Sequence, residues 1–206
     1  MPRAFVYIDG FNLYYGAVKD SPYRWLDLNA LCRHMLPGDD IVCIKYFTAQ
    51  VSARAHDPNK PTRQQIYLRA LKTIPNLKIY LGQFRTHSCR MVVTGTNPAQ
   101  KVWVDKTEEK GSDVNLASHM LFDGFKRAYE MAVIVSNDSD LREPVRMVRT
   151  ELKLNVGILN PHQIHSCTLR QYASFAKRIR QSDVAACQFP AVLKDSKGEI
   201  HKPAAW

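Results

Sequence analysis

Apolar residues in this chain come in short unbroken runs, separated by stretches with helical spacing. AFVYI (4–8) is too continuously apolar for a strand with one wet face, and IVCIKYFTA (41–49), LKIYLGQF (77–84), MAVIVSN (131–137) and LNVGILN (154–160) also read as strands. They predict strands of a mainly parallel sheet covered on both sides. Between them the apolar positions recur every three or four residues. WLDLNALCRHML (25–36) places Leu26, Ala30, Leu31 and Cys32 near one face and stops at Pro37-Gly38. RQQIYLRALKTI (63–74) shows i, i+4, i+8 spacing, and GSDVNLASHMLFDGFKRAYE (111–130) also reads as a helix. SDLREPVRMVRTEL (139–152) is a helix whose Pro144 is tolerable only in the first turns, with Ser139 or Asp140 as its cap.

Other segments break the alternation. SARAHDPNKPT (52–62) is polar, holds two prolines and reads as a loop. CRMVVTG and KVWVDK flank TGTNPAQ and predict a hairpin or extended insertion over 89–105. TLRQYASFAKRIR (168–180) reads as a basic helix, and KDSKGEIHKPAAW (194–206) as a loose tail. Strands and helices in alternation define an α/β class. The expected organisation is one domain over 1–190, with the motif-bearing part at 4–161, and a C-terminal tail over 191–206.

Such sheets bind ligands at the carboxyl ends of their strands, which directs attention to acids at those ends. The first strand runs into Asp9, followed by Gly10 and Asn12. MAVIVSNDSD runs into Asp138 and Asp140, and Asp113 opens the helix that follows Gly111 and Ser112. Each acid has a local explanation as a turn, cap or helix-dipole residue. Taken together they need more. Two carboxylates about 5 Å apart repel by roughly 3 kcal/mol at an effective dielectric of 20. Three mutual pairs approach the stability of a whole domain. Lys106 or Lys110 could offset part of this. A divalent cation does so best, and hard oxygen ligands select Mg2+ or Mn2+.

Charge adds a partner. The 206 residues carry 29 Lys and Arg against 19 Asp and Glu, a net charge of +10, which favours polyanions such as nucleic acid. Metal held by acids in a basic protein points to metal-assisted phosphodiester hydrolysis. Five cysteines without a CxxC argue against a disulfide framework and fit a reducing cytoplasm. The longest apolar runs are too short to span a bilayer, and MPRAFVYIDGF lacks a signal-peptide pattern. The expected setting is therefore cytoplasmic, without a membrane partner.

Four stretches, VYIDGFNLYYG, EEKGSDVNLASHMLFD, MAVIVSNDSDLREPV and LNVGILNP, occur in order on the expected elements. The chain resembles the NYN domain family of PIN-like metal-dependent ribonucleases. The resemblance implies a three-layer α/β/α sandwich with a central mainly parallel sheet. It implies a magnesium or manganese site at Asp9, Asp113 and Asp138, with Asp140 beside them. Asn12 matches the asparagine after the first acid and would orient a water or phosphate oxygen. Lys110 matches the basic residue before the helix glycine. The chain departs from the family at Asn137, where relatives often carry glycine, and at Ser174, where they often carry an acid. Asparagine tolerates left-handed backbone, so the turn at Asn137 is expected to survive.

The expected activity is a Mg2+- or Mn2+-dependent endoribonuclease with Asp9, Asn12, Asp113, Asp138 and Asp140 in its site. RNA would lie against Lys110, Arg142, Arg54 and Arg63. Further basic candidates are Lys60, Arg170, Lys177, Arg178 and Arg180, and Phe11, Tyr14 and Tyr15 could stack bases. A non-catalytic RNA-binding module and a metal-dependent phosphatase stay open as alternatives. His162, His165 and Cys167 cluster after the last strand but lack a fourth zinc ligand at suitable spacing. GxSxG, P-loop and GxGxxG motifs do not occur.

Overall fold

The computed structural model describes residues 1–53, 55, 57–164 and 166–206. Seven strands form one sheet: β1 (Arg3–Asp9), β2 (Asp40–Ala49), β3 (Leu77–Val92), β4 (Lys101–Lys110), β5 (Met131–Val135), β6 (Asn155–Asn160) and β7 (Phe175–Arg178). Their spatial order is β4-β3-β2-β1-β5-β6-β7. Every pairing is parallel except β3 with β4. The chain winds outward one way from β1 through β2 and β3, and the other way from β5 through β6 and β7. The order therefore reverses between β1 and β5. Outgoing connections diverge there and leave a crevice at the strands' carboxyl ends.

The unbroken apolar runs are explained by cover on both faces. Along β1, Ala4, Val6 and Ile8 enter one core cluster, and Tyr7 enters the other. The first face is covered by α2 (Leu28–Met35), α3 (Lys60–Leu71) and, later in the chain, α7 (Gln181–Ala186), through Leu31, Leu71 and Val184. The second is covered by α4 (Ser112–Phe125), α5 (Arg142–Thr150) and the short α6 (Cys167–Arg170), through Met120, Val148 and Leu169. Full burial of each such side chain contributes about 1.5–3 kcal/mol. The result is the three-layer α/β/α sandwich expected from the sequence.

A buried polar group pins α4 to the sheet. Lys45 of β2 forms an ion pair with Asp123 of α4, and the Tyr7 hydroxyl donates to the same carboxylate at 2.7 Å. Caps set the helix starts. The Asp27 carboxylate accepts from the Asn29 and Ala30 N–H groups at the head of α2. α3 begins at Lys60 rather than 63, because Pro61 falls in its first turn, where no N–H is needed. Pro144 likewise lies in the first turn of α5, which a 3₁₀ turn over Ser139–Leu141 precedes.

Two segments differ from their sequence reading. The 168–180 stretch is not one basic helix: after α6 it turns into β7, which pairs with β6. The Phe175 ring fills the space left by Gly157, and the Lys177 ammonium donates to the Met35 carbonyl at 2.9 Å. Tertiary packing thus overrides local helical spacing. The C-terminal stretch is not loose either. It forms a hairpin, β8 (Val192–Asp195) with β9 (Gly198–His201), and buries Ile200. Arg69 grips Asp195 through two hydrogen bonds of 2.8 and 2.6 Å, and the Trp206 ring packs on Trp25 and Tyr67.

The expected insertion is the outer half of a longer ribbon. β3 pairs with β2 only as far as Gly82, then continues with β4 as an exposed two-stranded arm. β4 brings the chain back to Lys110, beside Gln83, so α4 starts at the carboxyl edge of the sheet. Among the described residues, no helix is long and apolar enough to cross a membrane.

Candidate metal centre

β1 ends on Asp9, and the parallel register pairs Ile8 with Val135, so Ser136 emerges beside Asp9. The Ser136 hydroxyl donates to Asp9 Oδ2 at 3.0 Å, and its oxygen accepts the Asp138 N–H at 3.1 Å. Asp9 Oδ1 accepts the Asn12 N–H at 2.9 Å, which caps a short helix, α1 (Gly10–Leu13). Asp138 in turn accepts the Asp140 N–H at 3.0 Å and caps the 3₁₀ turn. Asp113 comes from the third direction, in the first turn of α4. The turn into α4 places Gly111 at φ 100°, a left-handed angle that suits glycine.

These elements bring one carboxylate oxygen each from Asp9, Asp113 and Asp138 to within 4.8 Å of one another. Asp9 is 5% exposed. Burial raises its carboxyl above the usual range, against the lowering effect of hydrogen bonds from Asn12 and Ser136. Asp113 is pushed up to about 6, first by burial and then by the negative charges of Asp9 and Asp138. Among the described residues, no Lys or Arg forms an ion pair with any of the three. Lys106 and Lys110, the cations expected to offset the acids, instead hold Glu108. A partly buried group of hard oxygen donors without an ion-paired Lys or Arg among the described residues fits a divalent cation.

Other site candidates fall elsewhere. The exposed Asp140 carboxylate lies outside the group of three. Asn12 lines the cleft, but its side-chain oxygen accepts the Asn137 N–H at 2.9 Å. The Arg142 guanidinium lies over the Tyr172 ring, and Arg63 is gripped by Asp57 in an adjoining cavity. Arg54 and His165 lie outside the described residues.

Both departures from the family pattern have structural outcomes. Asn137 adopts no left-handed angle: among the described non-glycine residues only Arg127 and Lys153 have positive φ. It acts as a clamp instead. Its side-chain oxygen accepts the Ser166 N–H at 2.7 Å, and its amide donates to the Ile164 carbonyl at 2.9 Å. Ser174 pairs with Val156 at the start of β6, at the edge of the sheet opposite the acids.

Two contributors escaped the sequence reading, and a third, His162, was weighed there only within an incomplete zinc set. Ser136 is fully buried and links Asp9 to Asp138. Its sequence signal was the strand end itself, where a register with β1 puts it next to an acid. Glu109 lines the cleft and accepts from the Ser112 N–H and hydroxyl at 3.1 and 2.7 Å, fixing the start of α4. Glu109 precedes Ser112 by three residues, a local capping spacing that could have marked it. His162 also lines the cleft, and the lack of a side chain at Gly16 makes room for its ring.

The cleft encloses about 590 Å³. Its walls include Phe11, Tyr15 and Lys60, beside Phe84 and Thr107 from the base of the arm. It is large enough for a nucleotide segment to reach the acids.

The family model for the NYN domain matches residues 3–177. The chain is 32% identical over 237 residues to 6-hydroxy-3-succinoylpyridine 3-monooxygenase HspA of Pseudomonas putida (strain DSM 28022 / S16), covering 99% of this chain and 75% of that protein. It also resembles the crystal structure of a protein of unknown function from Vibrio parahaemolyticus RIMD 2210633. That likeness has a TM-score of 0.57 at 18% identity, over 86% of this chain and 93% of the other, and it shows the fold alone.

Proposed function

Because the chain belongs to the NYN domain family, we propose that it is a Mg2+- or Mn2+-dependent endoribonuclease. The observation that carries this reading is the convergence of Asp9, Asp113 and Asp138 within 4.8 Å at the β1/β5 crevice. These three carboxylates would hold the ion. When bound, it would lower the pKa of a water and offset charge on the reacting phosphate.

The chain's own groups supply orientation. Ser136 and Asn12 hold Asp9 through hydrogen bonds of 3.0 and 2.9 Å, so this donor is oriented before any ligand arrives. Glu109 fixes the turn that presents Asp113. Asp140, exposed beside Asp138, would orient the attacking water. Asn12 has spent its side-chain oxygen on Asn137, which leaves its amide N–H groups for a phosphate oxygen. The net charge of +10 would draw RNA to the cleft, where Lys60, Phe11 and Tyr15 offer a cation and ring faces. Lys110 and Arg142, each already engaged with a neighbour, would contribute at the rim.

The test is cleavage of single-stranded and structured RNA by the purified chain with Mg2+, with Mn2+ and with EDTA, against Asp9→Asn and Asp138→Asn. Metal-dependent cleavage lost in both variants supports the reading. Cleavage indifferent to EDTA and to both substitutions rejects it, and salt-sensitive RNA binding without turnover assigns a non-catalytic RNA-binding module.

A second reading takes its observation from the Pseudomonas putida relative, whose similarity extends over 99% of this chain. That protein is named for oxygenation of a substituted pyridine. Oxygen uptake that depends on both a hydroxypyridine and a supplied two-electron reductant, in place of RNA cleavage, would favour it.

A further inference from the structure

Next to the acidic cleft lies a second cavity, of about 140 Å³, to which the site described above assigns no task. Phe11, Tyr15, Val51 and Lys60 line both spaces, so the two adjoin. We propose that this cavity seats the pyrimidine base of a nucleotide next to the phosphate held at the acids. The inference rests on the nuclease reading and adds a substrate preference to it.

The lining is built for a flat ring. Tyr14 and Tyr15 enter it from a π-helical turn (Tyr14–Val18), closed by a Lys19 N–H to Tyr14 carbonyl bond of 2.7 Å. Such wide turns are rare and gather at functional sites. Tyr46 lies against Gly10, where a Cβ would sit 2.8 Å from the ring, so glycine lets tyrosine and backbone form a close floor. The Tyr67 hydroxyl donates to the Leu26 carbonyl at 2.8 Å, which fixes the ring it presents. Trp206 closes the wall edge-on to Tyr67, at 5.8 Å between ring centroids and 73° between planes. Stacking on such faces contributes roughly 1–3 kcal/mol per base.

Size and polarity narrow the ligand. An apolar cavity of about 150 Å³ holds one benzene ring. A cavity of 140 Å³ therefore accepts a single six-membered ring and crowds a fused purine. The charge of Arg63 is met by two bonds to Asp57, at 2.7 and 2.5 Å. Arg24 is different: its Nη2 donates to the Lys19 carbonyl at 2.7 Å, but its buried Nε–H has no partner among the described residues. An unmet buried donor costs about 1–3 kcal/mol. A ring carbonyl, which uracil and cytosine both carry, would satisfy it.

The test has two arms, both on the intact 206-residue chain. In the first, cleavage sites are mapped on RNA of mixed sequence with Mn2+. The expected result is cutting at least fivefold enriched beside uridine or cytidine, falling below twofold in Arg24→Met and in Tyr15→Ala. In the second, uridine, cytidine and adenosine monophosphates and a free hydroxypyridine are titrated in EDTA, with tryptophan fluorescence as readout and Trp206→Phe as control. Quenching by the pyrimidine nucleotides at fivefold lower concentration than by adenosine monophosphate, and reduced in Trp206→Phe, supports the seat. Metal-dependent cleavage with no pyrimidine bias overturns the seat and leaves the nuclease reading standing. Selective pyrimidine-nucleotide binding without cleavage rejects the nuclease reading alone. A hydroxypyridine that binds more tightly than the nucleotides overturns the nucleotide assignment.

Discussion

The Asn12 side-chain oxygen accepts the backbone N–H of Asn137 at 2.9 Å, across 125 residues of chain. Through this bond the turn after β1 and the turn after β5 become one unit. It adds to the sheet register and the Ser136 bridge that set Asp9 beside Asp138. Asn12→Ala leaves a part-buried N–H unmet and is expected to lower stability by about 1–2 kcal/mol. Its effect on Mn2+ affinity should exceed its effect on melting, because the two turns then move apart. Calorimetric Mn2+ titration beside thermal melting measures both.

Crowded carboxylates make the metal-free chain weaker than its core would allow. At 4.8 Å a pair of full charges repels by roughly 3 kcal/mol at an effective dielectric of 20. Asp113→Asn is therefore expected to raise the melting temperature in EDTA and to abolish the further rise that Mg2+ or Mn2+ gives the unmodified chain. A variant that melts lower in EDTA, with the metal-induced rise intact, would contradict this.

The same crowding sets a pH dependence. The Asp113 carboxyl titrates at about 6 in the folded chain and at its ordinary 3.8 when unfolded. A folded value above the unfolded one means that the native state binds the proton more tightly. Its stabilisation is then present below pH 3.8 and is lost as pH rises through 6. The part due to Asp113 is at most about 3 kcal/mol, less after solvent screening of this half-buried group. It is isolated as the difference between urea unfolding of the unmodified chain and of Asp113→Asn, from pH 4 to pH 8 in EDTA. Metal binding runs the other way, since the carboxylates must be ionised: Mn2+ affinity should climb as pH rises through about 6.

Beneath α4 the prediction concerns structure alone. Asp123→Ala leaves the Lys45 ammonium buried without its partner and removes the acceptor of the Tyr7 hydroxyl. The expected loss is about 3–5 kcal/mol in urea unfolding. Pairing Lys45→Met with Asp123→Leu should recover most of it, because a buried charge pair can be replaced by apolar packing.

Much of this architecture was legible in the sequence. The unbroken runs at 4–8 and 131–137 announced strands buried on both faces, and the acids at their ends announced the crevice. What stayed hidden depends on contacts distant in sequence. FAKRI shows no period-two alternation, and only the pocket at Gly157 and the edge of β6 make it a strand. The C-terminal residues look polar and unconstrained until Arg69 takes Asp195 and Trp206 meets Tyr67. Ser136 carried no chemical signature of its own. Its role comes from the register that sets it opposite Asp9.

The central claim is that three side chains from separate parts of the chain share one cation. Diffraction from crystals soaked in Mn2+, with anomalous data collected near the manganese edge, addresses it directly. The account predicts one strong peak in the β1/β5 crevice, about 2.0–2.3 Å from a carboxylate oxygen of each of Asp9, Asp113 and Asp138. Full Mn2+ occupancy elsewhere, or an empty crevice at millimolar Mn2+ and neutral pH, would contradict it.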